Sequence, residues 1–349
     1  MTFYELAEKA LELERQGKKI IRLNVGDTNL PPPACAVEAA AAALEGNIST
    51  YVSSAGMHEL REKIAEKEGC DVGNVIINPG SKYTVFSLMS ILAEKGDRIA
   101  IPTPTWPAYE LICRQLGLEA AMVRTKMEDN WNFDGIDLEG CRMLIICNPG
   151  NPTSTVYDSR KIEAAVKEAN DRGIHVIIDE AYKDLAFERI PLYEGAIRIR
   201  SFSKEFNMAN WRLGYAIAPE EIAKKLNAFS QITITCIPPF VQKAGIACLE
   251  NEKGILEENI GIWKRRNAAV QKALEDEGFR FARPQAGMYI FPTHDKIADA
   301  DAYAMKLLEK GVAVAPGGHF GGYKAHVRIC LGTEEKNLED AVKLMADAL

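Results

Sequence analysis

The sequence predicts an α/β protein built on a mostly parallel, seven-stranded sheet between helices, followed by a smaller α+β domain. Two observations carry that expectation. Between residues 75 and 218, short apolar and β-branched runs alternate with longer stretches of helical periodicity. Beyond about Ala244 the texture changes to long helical stretches with two further strand-like runs. Strands that read as unbroken apolar runs are covered on both faces, as in parallel sheets with crossover helices.

The first candidate strand is Val75–Asn78, ended by Pro79-Gly80, and Lys82–Lys95 then reads as a helix. Arg98–Ile101 is the second strand, Trp106–Leu116 a helix and Ala121–Arg124 the third strand. Met143–Cys147, His175–Ile178, Ile197–Ser201 and Leu213–Ala218 complete the seven, with a helix over Ser159–Arg172. Gly287–Phe291 and His326–Leu331 are strands of the smaller domain, and a long helix near 240–270 is expected to join the two parts. The expected division is an N-terminal segment (1–30) packing with the small domain, a large domain (31–250) and a small C-terminal domain (251–349). The opening pattern of Phe3, Leu6, Ala7, Ala10 and Leu11 is that of an amphipathic helix, not a signal peptide.

At 349 residues, 47% hydrophobic and 26% charged, the chain has an ordinary globular composition and core enough for two domains. A net charge of −7 without a basic tract argues against nucleic acid and anionic membrane as partners. No apolar run approaches the roughly 18–20 residues of a membrane span. The eight cysteines are scattered without a CxxC pair, and the five histidines do not cluster at ligand spacing. Neither a disulfide framework nor a metal site is expected, and a reducing cytoplasm is the natural setting.

In open α/β sheets, ligands collect beyond the carboxyl ends of the strands. Here those positions are polar. The first strand runs into Gly80-Ser81-Lys82 at a helix start, where backbone amides and the helix dipole favour a phosphate. Trp106 follows the second strand and offers a stacking surface for a flat ring. Met143–Cys147 ends in Asn148-Pro149-Gly150-Asn151-Pro152-Thr153, whose prolines bar a helix and hold the Asn151 amide rigidly. His175–Ile178 ends in Asp179-Glu180-Ala181-Tyr182. An aspartate there could keep a pyridine nitrogen protonated and make the ring an electron sink. Last come Ser201-Phe202-Ser203-Lys204 and, eight residues on, Arg212. An amine beside two hydroxyls and a fixed cation suits a covalent aldehyde cofactor that carries a phosphate. Each cluster alone has an ordinary structural explanation; their order along the chain does not.

This ordered set, from Leu23-Asn24-Val25-Gly26-Asp27 to His326-Val327-Arg328-Ile329, resembles the class I/II aminotransferases, pyridoxal 5′-phosphate enzymes of fold type I. The resemblance implies that Lys204 forms the Schiff base and shuttles the proton, that Asp179 pairs with the pyridinium nitrogen, and that Asn151 and Tyr182 contact the ring oxygen. It implies stacking by Trp106. Gly80, Ser81, Lys82, Ser201, Ser203 and Arg212 would surround the phosphate. Tyr51 would reach the phosphate of the neighbouring subunit in a homodimer. Arg328 would grip the substrate α-carboxylate, with Gly26 leaving room beside it and Trp106 and Asn151 also touching substrate. The substrates would be an amino acid and a 2-oxo acid. Two positions depart from the pattern: Ser154-Thr155 follows Asn-Pro-Thr where glycine is usual, and Asn210 stands where glycine is common ahead of Arg212. Altered loops, not lost chemistry, are expected. The same residues serve amino acid decarboxylases and β-lyases, and a non-catalytic ligand sensor is a remoter reading. Aspartate, aromatic, small neutral and histidinol-phosphate-like substrates stay open.

Overall fold

A computed structural model of the chain describes residues 3–46 and 49–349. Its elements are α1 (Phe3–Arg15), β1 (Ile21–Arg22), α2 (Ala34–Glu45), α3 (His58–Glu68), β2 (Val75–Asn78), α4 (Ser81–Leu92), β3 (Arg98–Thr103), α5 (Ala108–Leu116) and β4 (Glu119–Arg124). There follow β5 (Cys141–Cys147), α6 (Ser159–Asp171), β6 (His175–Asp179), β7 (Ile197–Ser201), α7 (Phe202–Glu205), β8 (Gly214–Ile217), α8 (Glu220–Thr233) and α9 (Pro239–Glu250). The chain closes with α10 (Glu252–Asp276), β9 (Tyr289–Ile290), α11 (Ala300–Glu309), β10 (Val312–Ala313), β11 (Ala315–Pro316), β12 (Val327–Cys330) and α12 (Glu335–Ala346).

The seven expected strands form one sheet in the order β2-β8-β7-β6-β5-β3-β4. It is parallel except for β8, which runs antiparallel to both neighbours. The period-two alternation of β-strands sorts the core into two layers. Ile99, Ile101, Met143, Ile145, Ile177 and Ile199 face Val85, Leu88 and Met89 of α4. Ala100, Leu144, Ile146, Val176 and Ile178 face Ile162, Ala165, Val166 and Ala169 of α6. Burial on both faces is why these strands read as continuous apolar runs. The carboxyl ends of β5, β6 and β7 come level, since Cys147 pairs with Asp179 and Asp179 with Ile199.

The long helix expected near 240–270 is two helices, α9 and α10, broken at Asn251 (φ −111°, ψ 15°). The strand expected over Gly287–Phe291 narrows to β9 and pairs with β12, which pairs with β11. A parallel bridge of β1 to β10 was not foreseen, because two-residue strands carry no periodicity.

One strand breaks the apolar rule. In β7, Ile197 and Ile199 join the core while Arg198 and Arg200 are also buried. Arg200, 1% exposed, meets Glu68 at 3.3 Å, Glu205 at 3.1 Å and Asp184. Arg198 pairs with Glu68 at 2.6 Å, Tyr215 donates to Glu68 at 2.8 Å, and Lys67 holds Asp184 at 2.6 Å. Acids from α3, from the turn after β6 and from α7 thus converge on two guanidinium groups. Buried charges persist only when paired and hydrogen-bonded.

Within this cluster burial pushes the Glu205 carboxyl up to about 8, while Asp184, itself desolvated, is held down to about 2 by Arg200 and Lys67. Burial therefore favours the neutral form of Glu205 in the folded state near neutral pH. A folded pKa raised above the unfolded one gives stability that is present at low pH and lost as pH rises through the folded value. Glu205→Gln keeps an oxygen to accept from the Asp184 amide and from Arg200 but cannot titrate. Its stability relative to wild type should rise by roughly 2–4 kcal/mol between pH 5 and pH 8, measured by chemical denaturation at both values. A pH-independent difference would exclude Glu205 as the protonated group.

Candidate active site

Beyond the carboxyl ends of β5, β6 and β7 lies a cavity of about 480 Å³. Every residue expected in the site lines it except Gly80, which sits just behind its wall, and Tyr51, which is 85% exposed away from it.

One end of the cavity is built for an anion. Gly80 (φ 84°) turns the chain from β2 into α4, and a Cβ there would fall 2.6 Å from Arg212 Nη2. Helix α4 begins at Ser81 with no side-chain cap, and the amides of its first turn point out of its N-terminus. Arg212 Nη1 donates to Ala209 O at 2.8 Å and to Ser203 Oγ at 3.4 Å, and Nη2 to Pro79 O at 3.0 Å. Ser201 Oγ accepts from the Ser203 amide at 3.2 Å, capping α7. Burial lowers the Arg212 pKa. A guanidinium held by carbonyls, with two hydroxyls and a helix N-terminus beside it, is a set of donors whose chemistry suits a phosphate.

The middle of the cavity is built for a cationic ring. Asp179, the last residue of β6, is 3% exposed. Tyr109 donates to its Oδ2 at 2.7 Å and the Ala181 amide to its Oδ1 at 3.1 Å. Desolvation outweighs both bonds and pushes the carboxyl up to about 6. A pyridinium against it would reverse that balance. Trp106 stands edge-on to Tyr109, ring centroids 5.5 Å apart at 89°, with the Lys82 ammonium 5.3 Å from its centroid. Asn151 Nδ2 donates to the Tyr182 hydroxyl at 3.1 Å, and Tyr182 meets the Tyr289 hydroxyl, also at 3.1 Å.

Lys204 rises from the one-turn helix α7, and its Nζ donates to the Gly26 carbonyl. Desolvation lowers its pKa; Asp27 opposes the shift, while Arg328 and Arg212 add to it. An amine in this setting gives up its proton more readily than a surface lysine. Arg328, on β12 and 2% exposed, donates through Nη1 to Asn151 Oδ1 at 3.0 Å and through Nη2 to Asn24 O at 2.6 Å. Its guanidinium lies 4.6 Å from the Tyr289 ring centroid and 5.0 Å from that of Phe320. The room that Gly26 leaves is taken by a protein group, because a Cβ there would collide with the Tyr289 hydroxyl.

Sequence reasoning missed Tyr109 as the partner of Asp179 and Tyr289 as the neighbour of Tyr182. Tyr109 stands one helical turn after Trp106, a spacing that could have exposed it. Tyr289 arrives on a two-residue strand and carried no signal. The two departures also resolve. Ser154 has φ 51°, a left-handed conformation that explains why glycine suits the position. Its hydroxyl donates to Gly287 O at 3.2 Å and accepts from the Tyr289 amide at 3.0 Å. Asn210 lies in a 3₁₀ turn over Ala209–Trp211, and the left-handed residue there is Arg212 (φ 55°).

Comparison with known proteins agrees with this geometry. The family model for aminotransferases of class I and II matches residues 18–344. The chain is 33% identical to an aspartate aminotransferase of Thermococcus kodakarensis, over 94% of this chain and 88% of the relative. It is 30% identical to an aspartate/prephenate aminotransferase of Thermus thermophilus, over 98% and 94%. The solved structure of a Thermus thermophilus aspartate aminotransferase with maleate superposes with a TM-score of 0.94 at 29% identity, covering 100% of this chain and 97% of that one. That of a Thermotoga maritima aspartate aminotransferase gives 0.92 at 27% identity, covering 99% and 96%. The chain belongs to the class I and II aminotransferases, and it is a transaminating enzyme dependent on pyridoxal 5′-phosphate.

Proposed function

We propose that this aminotransferase exchanges the amino group of a dicarboxylic L-amino acid, aspartate foremost, with a 2-oxo acid in two half-reactions. The observation that carries the substrate reading is a cation in the cavity beyond Lys204, Arg212 and Arg328. Lys82 lines the same space as Arg328, with its ammonium over the Trp106 ring. One cation suits the α-carboxylate and the other a distal carboxylate. The relatives named for aspartate, and the neighbour solved with the dicarboxylate maleate, support the same reading.

Bound, the cofactor supplies an electron sink for the bond broken at the substrate Cα. The rest is the work of the chain. The amides of Ser81 and Lys82, behind the turn at Gly80, hold the phosphate with Ser201, Ser203 and Arg212. Asp179, fixed by Tyr109, keeps the ring nitrogen protonated. Asn151 and Tyr182 bond the ring oxygen, and Trp106 covers the ring face. Lys204 would anchor the cofactor covalently and, as a free amine, would move the proton at the substrate Cα, a task suited to its lowered pKa. Arg328, oriented by Asn151 and Asn24, holds the α-carboxylate.

We read residues 31–250 as the cofactor domain and 251–349, with 1–30, as the small domain. The pairing of β1 with β10, and the packing of Leu6 and Ala10 on Leu308 and Ala313, support that grouping. The exposure of Tyr51 supports a homodimer in which it reaches the partner's phosphate. Among the described residues no helix is long and apolar enough to cross a membrane, and the eight cysteines are unpaired, which supports a cytoplasmic setting.

Lys82→Met should lower kcat/KM for L-aspartate by about 10–100-fold, the worth of one charge-assisted hydrogen bond. The value for L-phenylalanine should change less than about threefold. The checks are half-reaction rates, from the visible absorbance of the cofactor after each amino acid is added. Equal losses for both substrates would remove Lys82 from distal recognition. Lys204→Ala should bind the cofactor without a covalent link, so borohydride reduction followed by mass spectrometry should find no adduct. A cofactor adduct on another lysine would sink the anchor assignment.

A further inference from the structure

We propose that Tyr289 is a positioning residue for Tyr182: its hydroxyl donates to the Tyr182 oxygen, leaving the Tyr182 proton for the ring oxygen of the bound cofactor. The inference rests on the reading of Tyr182 given under Proposed function. The two phenol oxygens lie 3.1 Å apart, with the rings edge to face at 77° and centroids 5.6 Å apart.

The direction of the bond follows from counting protons. A phenol has one proton to give and two lone pairs to receive with. Arg328 Nη1 donates to Asn151 Oδ1, which fixes the amide so that Nδ2 faces Tyr182 and donates to it. Tyr182 then keeps one lone pair and its own proton. Among the described residues the Tyr289 hydroxyl has Tyr182 as its hydrogen-bond partner. Were Tyr182 the donor, the proton of Tyr289, 1% exposed, would have no protein acceptor among the described residues, at a cost of about 1–3 kcal/mol. Donation by Tyr289 satisfies both phenols and turns the last proton of Tyr182 to the cavity.

Tyr289 is held for this task from three sides. Its backbone pairs with Cys330 of β12, its amide donates to Ser154 Oγ at 3.0 Å, and Gly26 admits its hydroxyl where any side chain would collide. The groups around the pair are Arg328 and Cys330 from β12 and Cys147 at the end of β5, and burial keeps both phenols in their protonated form. Accepting two hydrogen bonds makes Tyr182 a stronger donor in turn. A stronger donor to the ring oxygen favours the deprotonated form of the cofactor's linkage to Lys204.

The test is the pH at which the visible absorbance of the holoenzyme titrates, in Tyr289→Phe, Tyr182→Phe and the double variant. Tyr289→Phe should raise that pH by about 0.3–0.5 unit, and Tyr182→Phe by more. The double variant should match Tyr182→Phe, because the second change has nothing left to act through. A loss of packing alone would lower stability without moving the titration. If Tyr182→Phe shifts the titration and Tyr289→Phe does not, the inference falls and the reading of Tyr182 stands. If the two shifts add in full, Tyr289 acts by another route and the inference is overturned. If neither variant shifts it, Tyr182 does not bond the ring oxygen and both readings fall together.

Discussion

The guanidinium of Arg200 is the interaction on which the placement of Lys204 depends. It lies at the end of β7, four residues before Lys204, and meets carboxyl groups from three separate elements. Glu68 closes α3, Asp184 follows β6, and Glu205 is the neighbour of Lys204 in the chain. A buried cluster of this kind adds little stability over apolar side chains of equal volume. What it adds is specificity, since a shift of β7 or α7 against α3 would leave charges unpaired. The same side chains that tie down the strand also fix the turn from which Lys204 projects. An apolar replacement would have filled the space without fixing the register.

From that base the site assembles as one connected chain of polar contacts. Arg328 orients Asn151, Asn151 donates to Tyr182, and Tyr182 meets Tyr289. Tyr109 holds Asp179 from the first turn of α5. A group expected to touch substrate and a group expected to touch cofactor are therefore two hydrogen bonds apart. Arg328 also presses on the Tyr289 ring. A displacement of Arg328 would act on Tyr182 through Asn151, so the groups proposed to meet substrate and ring oxygen share one hydrogen-bonded network.

Much of this was legible in the sequence because strand ends advertise themselves. Pro79-Gly80 after Val75–Asn78, and the paired prolines after Cys147, stop a β-run where a ligand can approach; Ser81 beyond the first stop, and Cys147 and Asn151 at the second, line the cavity. The charges on β7 were not legible in the same way. Ile197-Arg198-Ile199-Arg200 has the alternation of a half-exposed strand, and the acids that bury it are up to 132 residues away in sequence. Tyr289 was silent for a related reason. Its strand is held by a bridge to β12 and by the Ser154 hydroxyl, contacts that no local pattern announces. Local periodicity reports which face is buried, and it is mute on what meets that face from across the fold.

Backbone strain at three positions near the cavity points the same way. Ser154, Arg212 and Met288 all hold positive φ without being glycine, at 51°, 55° and 103°. Each costs on the order of 1–3 kcal/mol relative to a relaxed backbone. All three stand at or beside the cavity lining: Ser154 follows Asn151 by three residues, Arg212 lines the cavity, and Met288 precedes Tyr289. Such strain survives only where the surroundings over-determine the conformation. For Ser154 they do so visibly, since its carbonyl accepts the amides of Gln285 and Ala286 and its hydroxyl takes two further bonds. Glycine would relieve the strain at Ser154 but would forfeit the hydroxyl that holds the Tyr289 amide. The loop thus gives up backbone comfort for a side chain that links the Asn151 loop to the strand carrying Tyr289, and that link fixes the spacing of the two phenols.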